Sequence, residues 1–139
     1  MQVQPYVFFN GRCEEALDYY SAKLGAQVIF KMRYKEAPPD PQNPPRPGLE
    51  EKIMHASVRL GSSDWMASDG RCDPAAPPMN GFSLSLTADD AASAEKYFSA
   101  LADGGQVVMP FQATFWSKGF GMVVDRFGLT WMVTLPSEE

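Results

Sequence analysis

The sequence predicts an α+β domain built from two βαβββ modules, paired so that they form a curved mixed sheet around a groove. Three observations lead to this. A strand–helix unit ending at a glycine opens the chain over Val3–Gly25. A second unit of the same kind lies at Gly81–Gly105. Three strand-like runs follow each of them. A half-covered sheet leaves one face bare, and pairing two copies buries it, so a duplicated unit of this kind implies a groove between the halves.

Taken in order, Tyr6 and Phe8 sit two apart, as residues on one face of a strand do. Asn10-Gly11 breaks the pattern, and Asn10 is a candidate helix cap. Glu14 and Glu15 lie where the dipole of a starting helix favours negative charge. Cys13, Ala16, Leu17, Tyr20 and Leu24 then form one helical stripe, and Gly25 can stop the helix in the left-handed conformation. Ala26–Tyr34 (AQVIFKMRY) is rich in β-formers and reads as the second strand. Six prolines between Pro38 and Pro47 exclude helix and central strand. That stretch reads as a long exposed loop, either a lid or a tolerated insertion.

Lys52–Leu60 alternates, with Met54, Ala56, Val58 and Leu60 on one face and Ile53, His55, Ser57 and Arg59 on the other. Gly61-Ser62-Ser63 turns it into a returning strand, Asp64–Asp69. Pro-rich residues 70–80 link module one, about 1–70, to module two, about 80–136. Gly81–Thr87 (GFSLSLT) alternates again. Asp89 or Asp90 caps a helix reaching about Asp103, with Ala91, Ala94, Phe98 and Leu101 as its stripe and Gly104-Gly105 as its stop. Gln106–Phe111 is a strand edged by Pro110, and Gln112–Ser117 a loop holding Phe115-Trp116. Gly119–Val124 and Leu129–Leu135 form a hairpin closed by Asp125-Arg126-Phe127-Gly128. Ala16, Tyr19, Tyr20, Ser21 and Ala22 match Ala94, Tyr97, Phe98, Ser99 and Ala100 at a constant offset, which ties the two helices together as copies.

Composition bounds the function. The 139 residues suffice for one domain with a real core, and 45% apolar against 21% charged residues reads as globular. A net charge of −5 argues against nucleic acid or an anionic membrane surface as partner, as does a pI near 4.8. No apolar run is long enough for a membrane span, and MQVQPYVFF lacks the basic-then-apolar pattern of a signal peptide. Cys13 and Cys72 are therefore expected as reduced thiols in a cytoplasmic protein.

The βαβββ repeat, with FFNGRCEEALDYYSAKLGA at the front and DRFGLTWMV at the end, resembles the vicinal oxygen chelate superfamily. That superfamily includes glyoxalase I, extradiol dioxygenases and the fosfomycin and bleomycin resistance proteins. PYVFFNGRCEEALDYY, KIMHASVRLG, WMASD and DRFGLTWMV look most like its PhnB-like branch, over nearly the whole chain. The resemblance implies a glyoxalase-like fold and a homodimer. Members of the branch carry the description demethylubiquinone methyltransferase-like, but nothing in this chain resembles an S-adenosylmethionine fingerprint.

The metal-using relatives ligate a divalent ion with His, Gln and Glu from the first and last strands of both modules. Carried onto this chain, those positions fall on or beside Pro5, around Met66–Ser68, on Gly81 or Phe82, and on Met132. Proline, glycine and phenylalanine side chains cannot ligate, and a thioether suits soft ions. Gln4 and Asp69 are one strand step away, on the opposite face, and His55 is the only histidine. No metal and no other cofactor is therefore expected.

The remaining candidate is a polar face toward the groove: His55, Ser57 and Arg59; Ser83, Ser85 and Thr87; Thr130, Met132 and Thr134. It would suit a small polar or anionic ligand held by Arg59 and hydroxyls, with Trp116 as a cover. The alternative is that His55 and Arg59 merely pair with neighbouring carboxylates. His55 as acid or base is chemically reasonable but has no partner legible from spacing. Cys13 reads as a buried inert thiol or, alternatively, a reactive one. Trp65, Trp116 and Trp131 read as structural, with Trp116 beside Phe115 alternatively covering a ligand or packing on a partner subunit, and Met66, Met109, Met122 and Met132 read as core filling. Two function classes follow: a metal-free small-molecule binding protein, as the resistance relatives are, or an enzyme with atypical metal ligands or His55 as acid or base.

Overall fold

A computed structural model describes residues 1–42, 44 and 47–136; Pro45 of the proline-rich loop lies outside the described residues. The chain divides into two compact units, Met1–Ala76 and Pro77–Glu139. In the first, β1 (Tyr6–Phe8), α1 (Cys13–Leu24), β2 (Gln27–Arg33), β3 (Ile53–Leu60) and β4 (Ser63–Ser68) follow in order, with a single 3₁₀ turn at Tyr34–Glu36 after β2. In the second, β5 (Leu84–Thr87), α2 (Ala91–Ala102), β6 (Gln106–Gln112), β7 (Phe120–Val124) and β8 (Thr130–Thr134) repeat that order. Each unit is a mixed four-stranded sheet, open rather than closed, in the order β1-β4-β3-β2 and β5-β8-β7-β6. Its first strand lies parallel to its last, and the other pairs are antiparallel.

The duplicated pattern is thus matched in element order, strand order and helix length. One face of each sheet is covered by its own helix. In the first unit, Cys13, Ala16, Leu17 and Tyr20 of α1 bury Val7, Ala56, Val58, Trp65 and Ala67, all 0–4% exposed. In the second, Ala94, Phe98 and Leu101 of α2 share a core with Val123, Leu129, Trp131 and Val133. The 3.6-residue stripe and the two-residue alternation predict these cores because each period fixes which side chains share a face. Trp65 and Trp131 are structural, as read. Ala91, read as part of the α2 stripe, is exposed because it opens the helix.

The two helices start differently. Asp90 caps α2 through its own side chain, which accepts the Ser93 N–H at 2.7 Å. Asn10 does not cap α1. It adopts φ 51° and donates its amide to the Asp73 carbonyl, and Arg12 takes the cap position without a capping side chain. A residue far along the chain supplies the missing acceptor. Buried Asp69 accepts Gly11 N–H at 2.9 Å and Cys13 N–H at 2.8 Å on one oxygen, and Ile53 N–H at 2.7 Å on the other. One carboxylate thereby joins the start of α1, the start of β3 and the end of β4. Gly25 ends α1 at φ 76°, the left-handed stop expected of it.

The strand read over Gly81–Thr87 is shorter, beginning at Leu84; Phe82 stands 46% exposed before it. The methionines read as core filling are not in the core. Met66, Met122 and Met132 are half-buried and Met109 is exposed. Pairing places Met66 beside Tyr6 and Ser57, and Met122 beside Met132, on the sheet faces turned away from the helices. Among the described residues no helix is long and apolar enough to cross a membrane.

Candidate functional site

The site candidates divide between the two open sheet faces. On the first unit, β-pairing sets Tyr6 opposite Met66, Met66 opposite Ser57, Ser57 opposite Phe30, and His55 opposite Met32. His55 and Ser57 are brought together there as the alternation predicts. Ile53, which alternation puts beside them, is instead fully buried at the start of β3, where its N–H is tied to Asp69. Arg59 is committed elsewhere. Its guanidinium makes two bonds to the Asp64 carboxylate across the β3–β4 hairpin, at 2.8 and 3.1 Å. That pairing lowers the Asp64 pKa and raises that of Arg59. Arg59 thus takes the carboxylate-pairing alternative, and an anionic ligand would have to displace Asp64.

His55 has a different partner. Its Nδ1 shares a hydrogen bond of 2.9 Å with the Tyr6 hydroxyl, and either group can be the donor depending on the imidazole tautomer. Burial raises the Tyr6 pKa, Tyr34 adds to this and Ser68 opposes it. Rings surround the pair. Tyr6 stacks on Phe8 with centroids 5.0 Å apart and planes 24° apart, and His55 lies 5.6 Å from Tyr6 and 6.0 Å from Phe30. Gly70 turns at φ 62° directly under this cluster. A β-carbon there would stand 3.0 Å from the Phe8 ring, so only glycine lets the backbone come so close. Tyr6, Phe8 and Phe30 lie around His55 on this face, although the sequence alone does not single them out. Tyr6 and Phe8 carry the right alternation, yet sequence alone assigns such rings to a core.

On the second unit, Ser85 pairs with Met132 and Thr87 with Thr134, while Met132 also faces Met122. Ser85, Thr87, Thr130, Met132 and Thr134 therefore share one open face. Ser83 lies one residue before β5 and is half-buried. Trp116 packs edge-on against Phe115 at 4.7 Å and Phe120 at 5.6 Å, and remains 54% exposed. The Thr114 hydroxyl accepts the N–H groups of Trp116 and Ser117, which fixes this loop.

The side chains at the positions carried over from metal-using relatives fit a divalent ion poorly. The Pro5 carbonyl accepts the Met66 N–H at 2.9 Å. Met66, Phe82 and Met132 offer no hard donor. Gln4 donates its amide to the Asp64 carbonyl, and both oxygens of Asp69 are taken by backbone N–H groups. Among the described residues no group of three or more His, Cys, Asp or Glu could hold a metal ion.

A polar cleft of about 370 Å³ in the first unit is lined by Gly11, Glu14, Glu15, Arg33, Glu51, Lys52 and Asp69. Its charges satisfy one another. Arg33 and Lys31 bind Glu14 and hold its carboxyl down to about 2, and Lys35 binds Glu51. Cys13 is buried, and burial first, then Asp69, pushes its thiol up to about 12, which disfavours the reactive thiolate.

Comparison with known proteins agrees with this architecture. Residues 1–134 match the family model described as 3-demethylubiquinone-9 3-methyltransferase. The chain belongs to this family, and its fold is shared by a glyoxylase/bleomycin resistance protein/dioxygenase domain from Frankia sp. EAN1pec, 13% identical with a TM-score of 0.64. The chain is 34% identical over 145 residues to Protein YjdN of Escherichia coli (strain K12), covering 100% of this chain and 98% of YjdN. The crystal structure of PA1353 from Pseudomonas aeruginosa is 41% identical, with 99% of each chain covered and a TM-score of 0.84. A putative 3-demethylubiquinone-9 3-methyltransferase, PhnB protein, from Bacillus cereus is 26% identical, covering 98% of this chain and 100% of that one with a TM-score of 0.81.

Proposed function

We propose that this family member is a metal-free protein that binds a small molecule on its open sheet faces. The observation that carries this reading is the chemistry at the positions where metal-using relatives place ligands. Ser68 alone has a hard side-chain donor there, and Ile53 and Gly70 engage it, while the adjoining face presents His55, Tyr6 and exposed rings. Concave, mostly apolar faces with a few fixed polar groups are the usual form of a small-molecule site. The family's name refers to methyl transfer, but the chain has no recognisable S-adenosylmethionine motif, so that activity is not part of this reading. Ser57 adds a contact on the first unit's face, Ser83, Ser85, Met132 and Trp116 line the second unit's own face, and Arg59 serves the hairpin.

Metal analysis and native mass spectrometry of the purified protein test the proposal. Substoichiometric metal and a co-purifying small molecule are expected. A stoichiometric divalent ion whose removal by chelation abolishes an activity would overturn it.

A second reading is an enzyme in which His55 exchanges a proton, favoured by its hydrogen bond to Tyr6. An activity that survives His55→Ala intact would remove it.

We propose further that the protein works in the cytoplasm as a homodimer. Two uncovered edge strands support the dimer: β2 exposes Val28 and Ile29, and β6 exposes Val107, Val108 and Met109. Light scattering after gel filtration should give twice the 15.4 kDa chain mass; a monomer at micromolar concentration would rule the dimer out.

A further inference from the structure

We infer that the ligand held by the first unit is a flat, uncharged aromatic molecule bearing a hydroxyl or carbonyl group. The inference rests on the small-molecule reading and names the ligand class for that face. Four rings form one continuous cluster: Phe8 on Tyr6, Tyr6 beside His55, and His55 beside Phe30. They are not core rings. Tyr6 is 39%, Phe30 46% and Phe8 55% exposed. A soluble protein rarely leaves several adjoining rings in water unless something covers them.

Three alternatives fit less well. An anion would look for Arg59, which Asp64 already holds by two bonds. A cation would look for a carboxylate, and the one on this face, Asp64, is neutralised by the same pair. An aliphatic chain would gain nothing from rings over leucines, whereas a flat aromatic gains offset stacking or edge contacts beyond its buried area.

The polar group of the ligand has a place too. Nδ1 of His55 is held by Tyr6, and among the described residues Nε2 has no hydrogen-bond partner. In the neutral imidazole one nitrogen donates and the other accepts, and the Tyr6 hydroxyl can adjust to either tautomer. His55 can therefore offer a donor to a carbonyl or an acceptor to a hydroxyl without changing its charge. Gly70 beneath Phe8 keeps the stack pre-formed, which lowers the ordering cost of binding.

The test uses 2-naphthol, its saturated counterpart decahydro-2-naphthol, and naphthalene, titrated into the full chain while the ring resonances of Tyr6, Phe8, Phe30 and His55 are followed by NMR. 2-Naphthol is expected to shift all four and to bind at least about tenfold more tightly than the saturated alcohol. Phe8→Leu and Phe30→Leu, both at exposed positions, should each weaken 2-naphthol by about 2- to 12-fold and leave the saturated alcohol unchanged. His55→Phe should remove the preference for 2-naphthol over naphthalene. Equal binding of the flat and saturated alcohols would overturn the aromatic class while leaving a small-molecule site in place. Absence of any shift at millimolar 2-naphthol would also overturn the class. Absence of binding by all three probes, together with no co-purifying molecule, would overturn the binding reading as well.

Discussion

The two units share a topology and differ in what their open faces carry. The first presents a histidine, exposed rings and an Arg59–Asp64 pair, and it holds the long proline-rich insertion between β2 and β3. The second presents serine, threonine and methionine on the equivalent strands, with no ionisable side chain among Ser85, Thr87, Thr130, Met132 and Thr134. Backbone order tolerates this divergence because the helix-side residues alone build each core, so the opposite face is free to change. Each unit also spends one buried aspartate on its own architecture. In the second, Asp125 accepts the N–H of Phe127 and of Leu129, and the Trp131 indole N–H at 2.9 Å. Asp69 ties together three elements, whereas Asp125 ties one hairpin to its own tryptophan.

That contrast can be broken experimentally. Asp69→Ala removes the acceptor of two buried N–H groups and one part-buried one and should cost about 4 kcal/mol in denaturant unfolding, with α1 losing its start. Asp125→Ala should cost less, about 3 kcal/mol, because its partners all lie within six residues in a hairpin that the β7–β8 ladder already closes. It should also shift the Trp131 emission, which Asp69→Ala leaves to secondary effects. If the two variants unfold alike, the distinction between inter-element and local anchoring is wrong.

Acid should sharpen the comparison further. Glu14 is held near pH 2 by Arg33 and Lys31, against an ordinary value of 4.5. Its contribution is therefore complete above about pH 4.5 and is lost as pH falls toward 2. Since its side chain is 39% exposed, solvent screening limits the effect to at most about 1 kcal/mol. Glu14→Gln should flatten that part of the pH–stability curve. Arg59→Ala is expected to change least, leaving the unfolding midpoint within experimental error, since the pair it breaks is solvated. A clear loss there would mean Arg59 holds more than its hairpin.

The fold was legible because two short periods, 3.6 and 2, assign faces without tertiary information, and the repeat multiplied that signal. Gly25 and Asp90 were legible for the same reason: each acts on residues within a few positions. Asn10 was misread because the true acceptor at the start of α1 is Asp69, far along the chain, and no local pattern announces it. The methionines and the rings of Tyr6 and Phe8 look alike in sequence whether they face a helix or solvent. Only the strand register separates them. Arg59 and Asp64 face each other across a two-residue turn, so their pairing could have been read from the hairpin itself.

The unlike helix caps have a consequence for the order in which the molecule assembles. Asp90 serves Ser93 three residues away, so α2 can be completed as soon as its own segment exists. For α1 the acceptor arrives only with Asp69, and β1 finds its parallel partner only when Met66 is in place. Closing so long a segment must precede any gain from these contacts. The N-terminal helix, although synthesised first, should thus be among the last elements to lock. In rate terms, removing the Asp90 cap should slow folding, while removing Asp69 should chiefly speed unfolding.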